Sequence, residues 1–216
     1  MTGMPNALRE DIVTLTRALD AAGLVPNKSG NVSARHGPGF LITPAGVPYA
    51  ELKPGQVVEL GPGGEPRAGT GRPSSEWRMH AAIYAARPDV TAVMHTHSPR
   101  ATALACAGRG IPPFHYMIAL AGGDIRCTRY CTFGTAELAA SAVQGLEGRR
   151  AALLGNHGVM AVGASLREAH AVATEVENLA GEYLDMLAAG LVPQLLEADE
   201  LQRVIAKFAD YGRLKA

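Results

Sequence analysis

The segment AVMHTHSPR, residues 92–100, carries two histidines two positions apart at the end of an apolar run. On a strand, side chains alternate between faces, so His95 and His97 project from one face and their ring nitrogens can converge on one ion at about 2.0–2.1 Å. The alternative is a surface strand on which two imidazoles happen to alternate. His157, in GNHGV, is a third candidate, because a flanking glycine lets backbone and ring turn inward at a strand end. Three protein ligands with one position left open is the usual number for a catalytic zinc site. Glu76, in PSSEW, is the natural fourth member. It falls in the first turn of a helix behind two serines, where the helix dipole favours a negative charge, and the same placement suits an ordinary capping carboxylate. His80, four residues on, shares a helix face with Glu76 and could chelate with it or serve as a satisfied histidine in a packed helix.

A second chemistry is suggested by KSGNVS, residues 28–33, and by PSSE, residues 73–76. Glycine lets successive N–H groups form an anion-binding nest, Asn31 can donate from its side chain, and Ser74 and Ser75 offer hydroxyls and helix N-terminal amides. Gly-Asn and Ser-Ser are also ordinary turn and cap residues. Together with three histidines they point to a phosphorylated substrate.

The 216 residues suit one large domain with a full core, residues 1–216, without repeat or linker. Twenty basic residues balance 20 acidic ones, so no net field recruits nucleic acid or an anionic membrane, and an anionic ligand must be held locally. Three cysteines (Cys106, Cys127, Cys131) without finger spacing and an N-terminus without signal-peptide features place the chain in the cytoplasm; the cysteines are expected to be buried small hydrophobes. No apolar run is long enough to span a bilayer.

The elements that must position these groups follow from periodicity. Leu8, Ile12, Leu15 and Leu19 mark a helix over 5–22 that stops at Gly23. NVSAR (31–35), GFLIT (39–43) and QVVEL (56–60) read as short strands between Gly/Pro turns. The loop 61–73 carries glycines but no dinucleotide or P-loop pattern. A helix capped by Ser74 or Ser75 runs to the turn at Pro88, DVTAVMHTH (89–97) is a strand, and His36 sits in a turn. Further helices are expected over 99–109, 135–146 with Thr135 as cap, 165–189 and 197–209, and two strands flank the Asn-His-Gly turn within 151–163. Helices and strands mix without a regular βαβ rhythm, which predicts a three-layer αβα sandwich around a largely antiparallel sheet.

The sequence resembles the class II aldolase/adducin family in SGNVSAR, LITPAGVPY, PSSEWRMH, VMHTHS, IPPFHYMIALAGG, RYCTFGTAEL, LLGNHGVMAV and KFADYG, spread in the family's order over essentially the whole chain. The resemblance implies a zinc-dependent aldolase with one Zn²⁺ per subunit, assembled as a C4 homotetramer with intersubunit active sites. It implies His95, His97 and His157 as zinc ligands and Glu76 as both ligand and catalytic acid/base. Lys28 sits beside the phosphate nest, and Gly30, Asn31, Gly46, Ser74 and Ser75 match phosphate-binding positions. Tyr116 matches a proton-donating tyrosine supplied by the adjacent subunit, and Tyr211 matches a second tyrosine near the aldehyde.

The implied reaction is reversible cleavage of a 1-phosphoketose of the L-fuculose 1-phosphate type to dihydroxyacetone phosphate and an aldehyde. Carbon–carbon cleavage beside a carbonyl needs an electron sink, from a lysine Schiff base or a metal. Only four of the 20 basic residues are lysines, and none sits in a core strand pattern, which favours metal. Ala45 stands where the pattern has a phosphate-contacting threonine, which Lys28 can compensate, and GGDIRCTRY is one residue short. These departures leave open the alternatives 5-deoxyribulose 1-phosphate and 5-methylthioribulose 1-phosphate. Pentulose-phosphate 4-epimerases, a dehydratase and non-catalytic adducin-like interaction modules are the readings from other classes, the last lacking the metal histidines.

Overall fold

A computed structural model describes residues 4–67 and 71–210. The amphipathic stripe of the first helix, α1 (Met4–Ala21), buries Ile12 and Leu19 completely, and the chain leaves it through Gly23 in the left-handed region. The hairpin β1 (Asn31–His36) and β2 (Gly39–Ile42) follows, then β3 (Val58–Leu60), α2 (Trp77–Ala86), β4 (Ala92–Thr96) and α3 (Pro99–Cys106). After a 3-10 segment over Tyr116–Ala121 come β5 (Arg126–Thr128), α4 (Ala136–Gly145), β6 (Ala151–Leu154), β7 (Gly158–Gly163), α5 (Leu166–Ala188) and α6 (Ala198–Asp210). The expected caps form at Thr135 and Ser165, whose side chains accept from the N–H groups of Leu138 and Glu168.

The described strands form one sheet in the order β3-β2-β1-β4-β7-β6-β5, antiparallel throughout except for the parallel β5–β6 edge. Period-two alternation divides its side chains between two cores. Leu41, Met94, Val159 and Ala161 face one layer with α1, α3 and α5, whereas Phe40, Ile42, Val93, Met160 and Val162 face the other with α2 and α4. The αβα sandwich with a largely antiparallel sheet is thus the observed architecture. His95 has the parity of Val93, so it points into the α2 layer. No described helix is long and apolar enough to cross a membrane.

Several boundaries differ from the sequence expectation. Helix α2 begins at Trp77, with Glu76 itself at the cap position. Ser74 instead accepts the Glu76 N–H through Oγ (3.3 Å) and the Trp77 N–H through its carbonyl, forming a tight turn before the helix. The residues 54–56 form a 3-10 turn, which shortens the third strand to Val58–Leu60. His36 closes β1 rather than sitting in a turn. Strand β5 was not expected: it is three residues at a sheet edge, too short to show alternation. Of the three cysteines only Cys131 is buried; Cys106 is exposed at the end of α3 and Cys127 is half-buried.

Leu41 is fully buried at the centre of the larger core. Leu41→Ala is expected to destabilise the fold by about 2–5 kcal/mol, the cost of lost burial plus the residual cavity, read as a shift of the urea midpoint at unchanged m-value.

Candidate metal centre and substrate cavity

The four sequence candidates meet at one point. The pairing of β1 with β4 sets Asn31 opposite His95, and the pairing of β4 with β7 sets His95 opposite Met160 and Thr96 opposite Val159. His97 lies one residue beyond β4, its N–H bonded to the Leu24 carbonyl, and keeps the same-face relation to His95. His157 is delivered by the β6–β7 turn. Glycine does not supply the left-handed residue of that turn; Asn156 does, at φ 54°. Gly158 has a different task, because a Cβ there would collide with the Thr96 carbonyl and lie 3.1 Å from His97 Cδ2 and 3.3 Å from His95 Cε1. From the opposite side, the turn before α2 brings in Glu76.

Glu76 Oε2 lies 3.2 Å from His95 Nε2 and Oε1 lies 3.1 Å from His157 Nε2, while the Nε2 atoms of His95 and His97 are 2.9 Å apart. All four ligand atoms fall within 4.8 Å of one another, the one such cluster among the described residues. The rings stand nearly perpendicular, at 73–80°, so each presents an edge to the centre. His95 Nδ1 is 2.9 Å from the Val159 carbonyl, a contact in which Nδ1–H donates and Nε2 is aimed at the cluster.

The electrostatics ask for a cation. Burial disfavours the ionised form of Glu76, yet the adjacent His95 and His157 outweigh it and hold the carboxyl well below the usual carboxylate range. At His95 burial lowers the pKa and Glu76 raises it by more, whereas burial and the two neighbouring rings push His97 down to about 3. Glu76 Oε1 is buried, with no hydrogen bond beyond its 3.1 Å approach to His157 Nε2. One divalent ion among these atoms would satisfy that oxygen and take the convergent nitrogens as ligands, and the donor set fits it.

The cluster opens on a cavity of about 410 Å³. Every sequence-predicted phosphate residue lines it: Lys28, Gly30, Asn31, Gly46, Ser74 and Ser75. Lys28 is exposed and left-handed (φ 62°), as is Asn27 before it (φ 55°). Gly30 is required by contact, since a Cβ would stand 2.6 Å from Val25 Cγ1 and 2.7 Å from the His95 carbonyl. Asn31 does more than line the cavity: its Nδ2 donates to Glu76 Oε2 at 3.0 Å. The exposed rings of Tyr130 and Phe133 form an apolar wall that sequence reasoning missed, because their residues belong to an irregular loop. Tyr116 is 53 % exposed and stacks on Phe208 away from its own chain's cavity. Tyr211 lies outside the described residues.

Comparison with known proteins places the chain in a family. Residues 10–184 match the model of the class II aldolase and adducin N-terminal domain. The 5-methylthioribulose-1-phosphate/5-deoxyribulose-1-phosphate aldolase of Rhodospirillum rubrum is 49% identical over 213 residues, covering 98% of this chain and 96% of the relative. The L-fuculose phosphate aldolase of Escherichia coli K12 is 42% identical, covering 96% of each chain. A solved L-fuculose 1-phosphate aldolase superposes with a TM-score of 0.91 at 36% identity, over 94% of this chain and 96% of that one. The chain belongs to the class II aldolase and adducin family, and it is a class II aldolase, a lyase. Class II aldolases are metal-dependent, and the Glu76, His95, His97 and His157 cluster is this chain's candidate metal site.

Gly158→Ala is expected to weaken Zn²⁺ binding about 10- to 100-fold by displacing the His95 and His97 rings. Competition with a chromophoric chelator measures this, and wild-type affinity in the variant would contradict the packing argument.

Proposed function

We propose that the protein is a zinc-dependent aldolase that reversibly cleaves a 1-phosphoketose to dihydroxyacetone phosphate and an aldehyde. The ketose is 5-methylthioribulose 1-phosphate or 5-deoxyribulose 1-phosphate ahead of L-fuculose 1-phosphate. The observation that carries the reaction class is the convergence of Glu76, His95, His97 and His157 beside a cavity lined by both polar and aromatic residues. This order of substrates reverses the one that the sequence motifs favour. It rests on the higher identity to the Rhodospirillum rubrum relative and on the Tyr130–Phe133 wall, which suits an aldehyde fragment without a hydroxyl.

His95, His97 and His157 would hold the zinc ion, with Glu76 as fourth ligand; the ion would supply an electron sink by polarising the ketose carbonyl. The phosphate would lie against the Gly30 and Gly46 backbone, the Asn31 amide, the Ser74 and Ser75 hydroxyls and the Lys28 ammonium. Lys28 and Ala45 line the same cavity, and the Ala45 methyl offers no hydrogen bond. The exposure of Lys28 argues against a desolvated Schiff-base amine and for a charged anchor. In the cleavage direction the C4 hydroxyl gives up its proton to the Glu76 carboxylate, the C3–C4 bond breaks, and the electron pair left on C3 takes that proton back from Glu76, so that one proton passes net from O4 to C3. Tyr116, turned away from its own cavity, would serve the aldehyde oxygen of a neighbouring copy in a C4 homotetramer, with Tyr211 nearby. The cytoplasm is the proposed compartment, which three free cysteines suit. The four intact ligands favour catalysis over an adducin-like interaction role.

Release of dihydroxyacetone phosphate from the three ketose phosphates, with and without chelator, tests the proposal. Chelator-sensitive release, faster from the two ribulose 1-phosphates than from L-fuculose 1-phosphate, is expected; no release from any of them would overturn it. Glu76→Gln should lower kcat about 10²- to 10⁴-fold. Lys28→Ala should raise KM roughly 10- to 100-fold through loss of a charge-assisted phosphate contact, and an unchanged KM would remove Lys28 from the phosphate site.

A further inference from the structure

A chain of buried polar groups runs from the metal cluster into the protein and ends at Tyr84, packed on Phe40 in the core. Asn31 and Ser33 lie two apart on β1 and share a face; His80 and Tyr84 lie four apart on α2 and share a face. The two pairs interlock. Tyr84 Oη is 2.7 Å from Ser33 Oγ, Ser33 Oγ is 2.6 Å from His80 Nδ1, and His80 Nε2 is 2.5 Å from Asn31 Oδ1. Asn31 Nδ2 is 3.0 Å from Glu76 Oε2. His80 and Ser33 are fully buried, and Asn31 and Tyr84 nearly so.

The direction of every bond follows from its last member. Glu76 is an anionic acceptor, so Asn31 must present its Nδ2–H and turn its oxygen to His80. That oxygen requires Nε2–H on His80, which leaves Nδ1 bare to accept from the Ser33 hydroxyl, and Ser33 in turn accepts from the Tyr84 hydroxyl. The histidine is neutral, burial foremost pushing its pKa down to about 3, so a single tautomer satisfies both neighbours. With Asn31 flipped, two acceptor oxygens would face one another across 3.0 Å; Nε2–H of His80 opposes that flip. The consequence falls on Glu76. Its Oε2 is held by the Asn31 amide, while its Oε1 has no amide donor and faces His157 Nε2 at 3.1 Å.

The geometry points to His80 as a positioning residue for Glu76: by locking the Asn31 amide, it pins Oε2 and so fixes the direction in which Oε1 is presented to the metal cluster and the cavity. This rests on the proposed aldolase reaction for the role of Glu76 as acid/base, but the pinning itself also acts on metal affinity. Supporting partners of metal ligands are typically worth 10- to 100-fold in affinity or activity.

The test compares His80→Leu, which removes both ring nitrogens, with His80→Gln, whose amide N–H can still donate to Asn31. Both are assayed for kcat, KM, Zn²⁺ affinity by chelator competition, and thermal midpoint. His80→Leu is expected to lower kcat and zinc affinity about 10- to 100-fold with KM changed less than about threefold, and His80→Gln to recover most of both. A histidine that only packs the core would lower the thermal midpoint of His80→Leu while leaving kcat and zinc affinity of the folded protein unchanged, which overturns the inference. If the wild-type protein releases no dihydroxyacetone phosphate, the aldolase reading fails, and zinc affinity still decides the pinning. Should His80→Leu not fold, ¹⁵N shifts of the wild-type imidazole decide instead. Nε2–H with a bare Nδ1 supports the inference, and the opposite tautomer or an imidazolium overturns it.

Discussion

Three imidazoles and a carboxylate with ligand atoms within 4.8 Å of one another, largely out of water, are an arrangement the fold has to impose. Lone pairs directed at a common centre repel, and a buried carboxylate is costly unless positive charge or donated hydrogen bonds surround it. The imposition is made by backbone pairing. His95 and His97 are fixed by β4, which is hydrogen-bonded on both sides in mid-sheet, and His157 by the turn that leads into β7 beside it. The carboxylate arrives on the opposing layer, at the start of α2. Small residues make the approach possible where backbones converge: Gly30 against the His95 carbonyl and Gly158 against the two rings.

The surroundings are graded in polarity outward from that point. Behind the cluster, Asn31, His80, Ser33 and Tyr84 form a dry, satisfied network between the sheet and α2. In front lies a cavity lined by left-handed Lys28, Gly30, Gly46 and two serines and by the exposed aromatic residues Tyr130 and Phe133. Such a lining offers both hydrogen-bonding and apolar contacts to a small ligand. Two different polar environments thus meet at Glu76, one holding the carboxylate and one receiving substrate.

Much of this was legible in sequence where a local period carries the information. The His-x-His spacing on a strand, the helix stripes and the Gly-Asn turn each translate directly into geometry, and the αβα sandwich follows from the mixed order of elements. Less visible were features set by tertiary contact. Glu76 read as a first-turn residue because the serines before it look like caps, whereas the turn they form delays α2 to Trp77. Asn31 read as a phosphate donor, and its bonds to Glu76 and His80 join residues 45 and 49 positions away. His80 could be placed on the face of Glu76 but not given its partners, since those lie on β1. Strand β5 and the Tyr130–Phe133 wall are short or irregular and leave no periodic trace.

The centre itself is tested most directly by anomalous diffraction at the zinc edge from crystals of the protein grown with zinc. A single strong peak is predicted about 2.0–2.2 Å from the Nε2 atoms of His95, His97 and His157 and from a carboxylate oxygen of Glu76. A peak elsewhere, or none among these four side chains, would contradict the metal centre on which the proposed aldolase chemistry depends.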